Sequence, residues 1–264
     1  MTQVRPPAVA GMFYPGDAAT LRRDVRALLA DVAPAPLHAK AIIAPHAGYM
    51  YSGAVAAHAY ALLGARADSI RRVVLLGPVH RVWVPGLALP GADAFDTPLG
   101  RVRVDAQAVA AIADLPQVEV RPDAHALEHS LEVQLPFLQS VLRDFTLVPL
   151  AVGGASPAQV AEVLDRLWGG DETLIVVSSD LSHFLGYDAA RRIDADTCAA
   201  ILALDTHLVG EQACGAHPVN GLLLAAQRRG LTPHLLDRRN SGDTAGDRRR
   251  VVGYAAFAFT EAAP

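Results

Sequence analysis

Short runs of consecutive apolar residues, each ended abruptly by turn-forming residues, recur along the chain. Three of them, at residues 40–44, 72–76 and 174–177, have the length of buried strands. Between these runs lie stretches in which apolar residues are spaced as on one face of a helix. This alternation predicts an α/β fold: a three-layer α/β/α single domain, residues 1–264, around a central mixed, largely parallel sheet.

Helical spacing, capping residues and glycine or proline breaks define the other predicted elements. Helices are predicted around residues 21–29, 54–63, 105–113, 128–142, 157–167, 189–204 and 218–229, and further strands at 146–152 and 251–259. Pro136 predicts a kink or a break in the helix at 128–142. Pro85 predicts that the apolar residues 82–89 form an edge strand or an irregular piece. Residues 95–100 are predicted as a turn, and the polar residues 238–249 as a loop.

A histidine follows each of the three apolar runs, namely His46, His80 and His183. In open parallel α/β sheets, ligands bind in the crevice beyond the carboxyl ends of the strands. Any one of these histidines alone would more commonly be a loop residue whose ring is satisfied locally. Three histidines in the same position relative to a strand favour a shared functional site.

The two cysteines receive different interpretations. Cys214 lies directly before a predicted helix, where the pKa of a thiol is lowered and the thiolate is favoured. Cys198 lies within a predicted helix among small apolar residues and is interpreted as a buried packing residue. Two imidazoles and one thiolate would form a three-ligand site with open positions, which is typical of a catalytic metal. Iron(II), zinc and copper(I) are all compatible with such ligands.

Several polar side chains lie close in sequence to these candidates. Asp180 could orient His183 or a ligating ring, or could equally be a turn residue or helix cap. Glu128 and His129 could support a ligating histidine, although a solvated helix start explains them equally well. His217, which precedes a proline, and Tyr49, in the turn after the first strand, are assigned to the pocket wall.

Bulk composition narrows the function classes. The chain has 264 residues, of which 52% are apolar, and a formal net charge of −4, so it lacks a global basic surface for nucleic acid. Two cysteines provide no disulfide framework and fit a reducing compartment. The N-terminus has no signal-peptide pattern, and no apolar run approaches the ~18 residues of a membrane span. We therefore expect a cytoplasmic protein that binds neither nucleic acid nor membrane.

Short motifs distributed over almost the whole chain resemble the Memo family, whose prokaryotic members are also called AmmeMemoRadiSam system protein B. The matching stretches are AGMFYP at 10–15, PHAGY at 45–49, YSG at 51–53, LGPVH at 76–80, EHSLE at 128–132, QLPFL at 134–138, SSDLSH at 178–183, CG at 214–215, SGD at 241–243 and VGY at 252–254. Their order and extent make the resemblance specific.

The resemblance implies a fold like that of the class III (LigB-type) extradiol dioxygenases. It further implies that His46, His80 and Cys214 bind the metal and that His183 is the catalytic acid or base. Cys214 would stand where the dioxygenases carry a carboxylate ligand, which departs from their facial triad. Arg81 stands where many relatives have a second histidine, so the pocket wall is expected to differ there.

From these observations the leading hypothesis is a mononuclear metal-dependent oxidoreductase, with non-haem iron(II) favoured and copper or zinc as alternatives. Its substrate would be a small molecule or a peptide. In this hypothesis His183 moves a proton, and Asp180 and His129 support the metal ligands. A non-catalytic peptide- or metal-binding module and a metal-dependent hydrolase are the competing hypotheses. The family name also implies a functional association with radical-SAM and AMMECR1-type proteins.

Overall fold

The computed structural model describes residues 2–261 of the chain. The strands are β1 (Val4–Arg5), β2 (Ala39–Ala44), β3 (Arg72–Pro78), β4 (Leu87–Leu89), β5 (Ala94–Thr97), β6 (Gly100–Arg103), β7 (Val118–Val120), β8 (Thr146–Val152), β9 (Thr173–Ser178), β10 (His183–Leu185), β11 (Thr232–Asn240) and β12 (Val251–Thr260). The helices are α1 (Ala18–Ala30), α2 (Tyr49–Ala61), α3 (Ala106–Ala110), α4 (Pro122–Ala126), α5 (Leu135–Val141), α6 (Pro157–Leu167), α7 (Tyr187–Leu202) and α8 (Ala216–Arg229).

Nine strands form the main sheet in the order β10-β12-β2-β9-β3-β8-β4-β7, with β11 paired to β12. The four neighbouring strands β2, β9, β3 and β8 are parallel. Strand β12 is antiparallel to β2, and β4 is antiparallel to β8. Because the parallel strands run in one direction, the segments that follow β2, β3 and β9 all begin at the same edge of the sheet. This edge carries the candidate site.

Alternate residues of the central strands enter two separate apolar layers, because successive side chains of a strand point to opposite faces. Val73 and Leu75 of β3 belong to one layer with residues of α1, α2 and α5. Val74 and Leu76 belong to the other with residues of α6, α7 and α8. The predicted α/β/α architecture with a mixed, largely parallel sheet is confirmed.

The predicted helix at 128–142 is wrong in its first half. Residues 128–131 form a loop, a short 3₁₀ turn follows at Glu132–Gln134, and α5 begins at Leu135. The Glu128 carboxylate accepts the backbone N–H groups of His129 and Ser130, which holds this segment in a turn. Pro136 lies in the first turn of α5, where its missing N–H costs nothing.

Three predictions for irregular segments are correct only in part. Residues 95–100 contain most of strand β5 and the start of β6, which pair around a tight turn, with Gly100 at φ +126°. Strand β4 lies between β8 and β7, so it is not at the edge, and Pro85 lies before it in an irregular stretch. Residues 238–240 belong to strand β11. Most side chains of this strand are partly or fully exposed and many are polar, so its composition is like that of a loop.

A smaller sheet of β1, β5 and β6 lies beside the main one. Glu132 anchors the N-terminal segment that contributes β1: its buried carboxylate pairs with the Arg5 guanidinium and accepts N–H groups from Ala8 and Val9 and the hydroxyl of Tyr14. Within residues 2–261, no helix combines the length and apolarity that crossing a membrane requires.

Candidate metal centre

Three imidazoles meet at the carboxyl edge of the parallel strands. His46 follows β2, His80 follows β3, and His129 lies in the loop before α5. One ring nitrogen from each histidine lies within 4.8 Å of the other two. Within residues 2–261, these three side chains are the group whose ligand atoms are close enough together to bind one metal ion. The sequence predicted His46 and His80 as ligands, whereas it assigned His129 only to the surroundings.

Cys214 lies beside this cluster, with its Sγ 3.3 Å from Nε2 of His46. Gly215 permits the approach, because a Cβ there would come within 2.6 Å of the Ser179 Cβ. The expected lowering of the thiol pKa is wrong. Burial raises the pKa of Cys214 above its usual range, and the negative charge of Asp180 adds to the rise. Cys214 thus contacts His46, but it is not one of the three residues whose ligand atoms all lie within 4.8 Å of one another.

A serine hydroxyl determines which nitrogen of His46 carries the proton. Ser178 Oγ donates its single hydrogen to the Ser130 carbonyl at 2.6 Å and accepts the Gln134 amide N–H at 2.7 Å. Towards Nδ1 of His46, 2.8 Å away, the same oxygen can only accept. Nδ1 therefore carries the proton and donates, so the lone pair is on Nε2, where it accepts from the Cys214 thiol and where a metal ion would bind in its place.

Glu128 fixes His80 in the same way, with Oε1 lying 2.8 Å from Nδ1 of the ring. Burial alone would raise the pKa of Glu128, but hydrogen bonds from the His80 ring and from the N–H groups of Ser130 and His80 outweigh it and lower the pKa to about 2. An ionised carboxylate can only accept, so Nδ1 of His80 donates, and in the neutral ring the lone pair is on Nε2.

Burial also keeps the other imidazoles in the form that binds metals. It lowers the pKa of His46 well below its ordinary value, and it lowers that of His129 to about 4. The His129 ring packs between His80, at a centroid distance of 4.7 Å, and Phe13, also at 4.7 Å. Neutral imidazole is the ligand form of histidine, so these rings need lose no proton to bind an ion near neutral pH.

His183 and Asp180 occupy different places near the cluster. Nδ1 of His183 lies 2.8 Å from the Leu181 carbonyl, which can only accept, so Nε2 of this ring is unprotonated in the neutral form. Asp180 accepts the backbone N–H of His46 at 2.8 Å and thus supports the turn after β2. Burial raises the pKa of Asp180 to about 7.

The two side chains assigned to the pocket wall lie elsewhere. The Tyr49 hydroxyl donates to the Val133 carbonyl at 2.7 Å, and its ring packs on Phe137 in the core. His217 is exposed, and its Nδ1 lies 2.9 Å from the Ala155 carbonyl. Neither residue lines the cavity next to the imidazole cluster, which is described below.

A cavity of about 700 Å³ opens next to the cluster. It is lined by His80, His183, Leu185, Ile193, Asp196, Gly210, Glu211, Gln212 and Cys214. His80 therefore belongs both to the imidazole cluster and to the cavity wall, while His46 is buried behind it. The cavity brings a small molecule within reach of the cluster and of His183.

No pattern in the sequence assigned a role to the hydrogen-bonding residues Ser178 and Gln134. Gln134 is held by the Tyr60 hydroxyl, which donates to its Oε1 at 2.7 Å, so its N–H groups point towards Ser178 and the Pro45 carbonyl. Their partners lie between 44 and 132 positions away along the chain. Only the pairing of distant strands brings these groups together.

Comparison with known proteins identifies similar chains. The sequence pattern of the family described as Memo-like protein matches residues 5–258. A MEMO1 family protein from Methanopyrus kandleri is 36% identical over 284 residues, covering 97% of this chain and 98% of the relative. One from Aquifex aeolicus is 36% identical over 270 residues, covering 97% and 99%. A crystal structure of an uncharacterized protein from Escherichia coli K12 shares the fold, with a TM-score of 0.53, 14% identity, and coverage of 82% of this chain and 98% of that one.

Proposed function

The chain belongs to the Memo family, and from this premise we propose that it is a mononuclear metal-dependent oxidoreductase with non-haem iron(II) as its metal. Its substrate is a small molecule or a peptide. The observation that carries the proposal is the cluster of His46, His80 and His129, which lies within reach of a cavity large enough for such a substrate.

The donor set fits a catalytic metal better than a structural one. Structural zinc sites close their coordination with four protein ligands, whereas catalytic sites have fewer and leave a position open. Here three imidazoles converge, and two of them have their outer nitrogens fixed by Ser178 and Glu128. Such outer hydrogen bonds orient metal-binding rings and raise their basicity. Cys214, 3.3 Å from Nε2 of His46, supplies a possible fourth donor.

When bound there, iron would supply one-electron redox chemistry. The residues of the chain supply the remaining functions. Glu128 and Ser178 hold the rings of His80 and His46 in one tautomer. The apolar side chains of Leu185 and Ile193 help to keep water away from a bound substrate.

His183 is the proposed proton-transfer group. Its Nδ1 is tied to the Leu181 carbonyl, so proton exchange takes place at Nε2, and the residue lines the cavity with His80 and Cys214. Partial burial and the proximity of His80 lower its pKa. A neutral imidazole of this kind accepts a proton from a substrate near neutral pH.

A metal-dependent hydrolase is the second candidate. Three imidazoles form a known catalytic zinc ligand set, and His183 would then assist the attack of water. The radical-SAM and AMMECR1-type partners follow from the family resemblance alone, whereas a cytoplasmic location follows from the sequence features described above; both are proposals.

The test is metal analysis of the protein purified without oxygen and reconstituted with iron(II). The wild type should retain about one iron per chain, and His80→Ala and His129→Ala should each lose most of it. His207→Ala is the matched control, because its ring is exposed and pairs locally with Asp205. Stoichiometric iron in both cluster variants would contradict the proposed site.

Two further measurements separate the candidate functions. Reversible oxidation and reduction of the bound iron, followed by its absorbance, would support the redox proposal. Hydrolysis of model esters or amides under nitrogen by zinc-loaded protein, lost in His183→Ala, would favour the hydrolase. Cys214→Ser tests the fourth donor, because loss of a sulfur ligand would change the absorption spectrum of cobalt-substituted protein.

A further inference from the structure

Asp194 is a buried carboxylate to which the proposed mechanism gives no role. It lies in the middle of α7 and is only 2% exposed. Burial raises the pKa of Asp194, while hydrogen bonds from Ser182 and the charge of Arg238 oppose the rise. Burying a carboxyl group costs free energy, so the groups that it contacts indicate what it does. Asp194 does not line the cavity beside the imidazole cluster, so it does not contact a substrate bound there.

The carboxyl group holds one particular peptide group. Oδ1 of Asp194 accepts the backbone N–H of Ser182 at 3.0 Å. The carbonyl of the same peptide group belongs to Leu181, and its oxygen lies 2.8 Å from Nδ1 of His183. In a planar trans peptide, the N–H and C=O groups point in opposite directions. Asp194 and the His183 ring are therefore bonded to opposite ends of a single peptide group.

The two neighbouring peptide groups are bonded elsewhere. The N–H of Leu181 donates to the Gly253 carbonyl at 2.8 Å, and the N–H of Gly253 donates to the Ser182 carbonyl at 2.8 Å. These bonds hold the segment against β12 but leave the Leu181–Ser182 peptide group to Asp194. Gly253 also provides the room for the carboxyl group, because an added Cβ would lie 2.1 Å from Oδ2 of Asp194.

We propose that Asp194 is a positioning residue for His183. Its carboxyl group holds the Leu181–Ser182 peptide group so that the carbonyl accepts Nδ1–H of His183, which keeps the lone pair on Nε2. Acceptance of the N–H also polarises the peptide group and strengthens the acceptor at its other end. The arrangement is an aspartate–histidine pair with one peptide group between the two side chains. Its effect on proton transfer rests on the proposed function of His183, whereas the hydrogen-bonded chain does not.

The tautomer of His183 tests this role. Ring ¹⁵N chemical shifts are measured on metal-free protein at mildly alkaline pH, and the signals of His183 are assigned by their loss in His183→Gln. In the wild type, we expect the proton on Nδ1 and slow hydrogen exchange of the Ser182 amide. Asp194→Ala should lower the ratio of the Nδ1–H to the Nε2–H tautomer by about five- to tenfold, the effect of one hydrogen bond, and accelerate exchange of that amide.

Two further variants separate positioning from general loosening of α7. Asp194→Asn keeps an acceptor oxygen in nearly the same volume and should restore most of the tautomer ratio. Thr197→Ala removes another buried polar group of the same helix, whose hydroxyl donates to the Ile193 carbonyl one turn earlier, and should change neither quantity. An equal loss in Thr197→Ala and Asp194→Ala would contradict a specific role of Asp194.

A wild-type ring with its proton on Nε2 would overturn the proposal, and this measurement does not depend on the folding of any variant. An unchanged tautomer in Asp194→Ala, or a ratio in Asp194→Asn as low as in Asp194→Ala, would overturn it as well. Iron retention by the same proteins tests the proposed function separately. Unchanged tautomers in protein that retains iron would leave the metal function intact. The expected tautomer change in protein unable to retain any metal would support the positioning role and refute the metal function.

Discussion

Ser178 Oγ lies 2.8 Å from Nδ1 of His46 and can only accept a hydrogen bond from it, because its own hydrogen is donated to the Ser130 carbonyl. A hydroxyl on one strand thereby fixes the tautomer of a histidine that follows the neighbouring strand. The consequence is a ring whose Nε2 is unprotonated within the imidazole cluster before any ion binds.

Ser178→Ala should therefore weaken metal binding. Loss of an outer hydrogen bond to a ligating histidine typically costs about 10- to 100-fold in metal affinity. We expect this decrease in competition titrations with a chelator, together with a mixture of His46 tautomers in ¹⁵N NMR spectra. Ser140→Ala is the control, because its hydroxyl bonds only to the Pro136 carbonyl of its own helix. Unchanged affinity with a single tautomer would contradict this role of Ser178.

Glu128→Gln should have a similar effect through His80. The amide can still accept a hydrogen bond at its oxygen, but it has lost the charge that stabilises the ring when it binds a cation, so we expect affinity to fall by about 10-fold or more. The same titration measures it. Glu119→Gln, on the edge strand β7, removes an equal charge away from the cluster and should leave metal affinity unchanged.

Gly215→Ala should displace Cys214 and disturb the site. The added Cβ would lie 2.6 Å from the Ser179 Cβ and 2.8 Å from the Ser178 carbonyl oxygen, so backbone must move. We expect overpacking to lower the free energy of unfolding by about 1–3 kcal/mol. Urea denaturation measures this change. Gly210→Ala is the matched control, because nothing lies within 4 Å of its added Cβ; equal behaviour of the two variants would rule out the close packing at Gly215.

Glu132→Ala should be among the most destabilising single changes in the chain. It leaves the Arg5 guanidinium buried without a counter-ion and also removes the acceptor of two backbone N–H groups. Breaking a buried ion pair on one side costs about 3–5 kcal/mol, which urea denaturation would show directly. Asp24→Ala, which breaks the exposed pair with Arg23, should cost under about 1 kcal/mol. A similar loss in both variants would show that Glu132 does not anchor the N-terminal segment.

His125 should make the fold sensitive to mild acid. Its ring is buried, its Nε2 donates to the Ala88 carbonyl, and its Nδ1 has no partner. Burial lowers the pKa of His125 from 6.5 to about 4. The unfolded chain therefore binds a proton at a higher pH than the folded one, so this contribution is fully present above pH 6.5 and is lost as the pH falls towards 4.

The check compares the wild type with His125→Gln, which cannot titrate in this range. From pH 7 to pH 4, the wild type should lose about 3 kcal/mol more of its free energy of unfolding than the variant does, at about 1.4 kcal/mol per pKa unit. Other groups titrate alike in both proteins and cancel. A pH-independent difference would show that the folded protein protonates His125 as readily as the unfolded chain does.

Most of the sheet could be predicted from the sequence, because fully buried parallel strands are continuous apolar runs. Residues 40–44, 72–76, 146–152 and 174–177 all lie in strands. Prediction failed where a strand lies at the sheet margin and has a polar face, as in β11, and where side chains determine the backbone. Glu128 holds residues 128–131 in a loop through hydrogen bonds that helical periodicity does not reveal.

By itself, the sequence determined the family, the α/β/α architecture and the carboxyl edge at which His46, His80 and His183 are found, since each follows directly from local order along the chain. Only the tertiary structure decided that His129 joins His46 and His80, and that Cys214 lies beside them at 3.3 Å from one ring. It also decided that Ser178 and Glu128 set the tautomers. Strand pairing and loop packing control these distances, and both act between residues that the chain order leaves far apart.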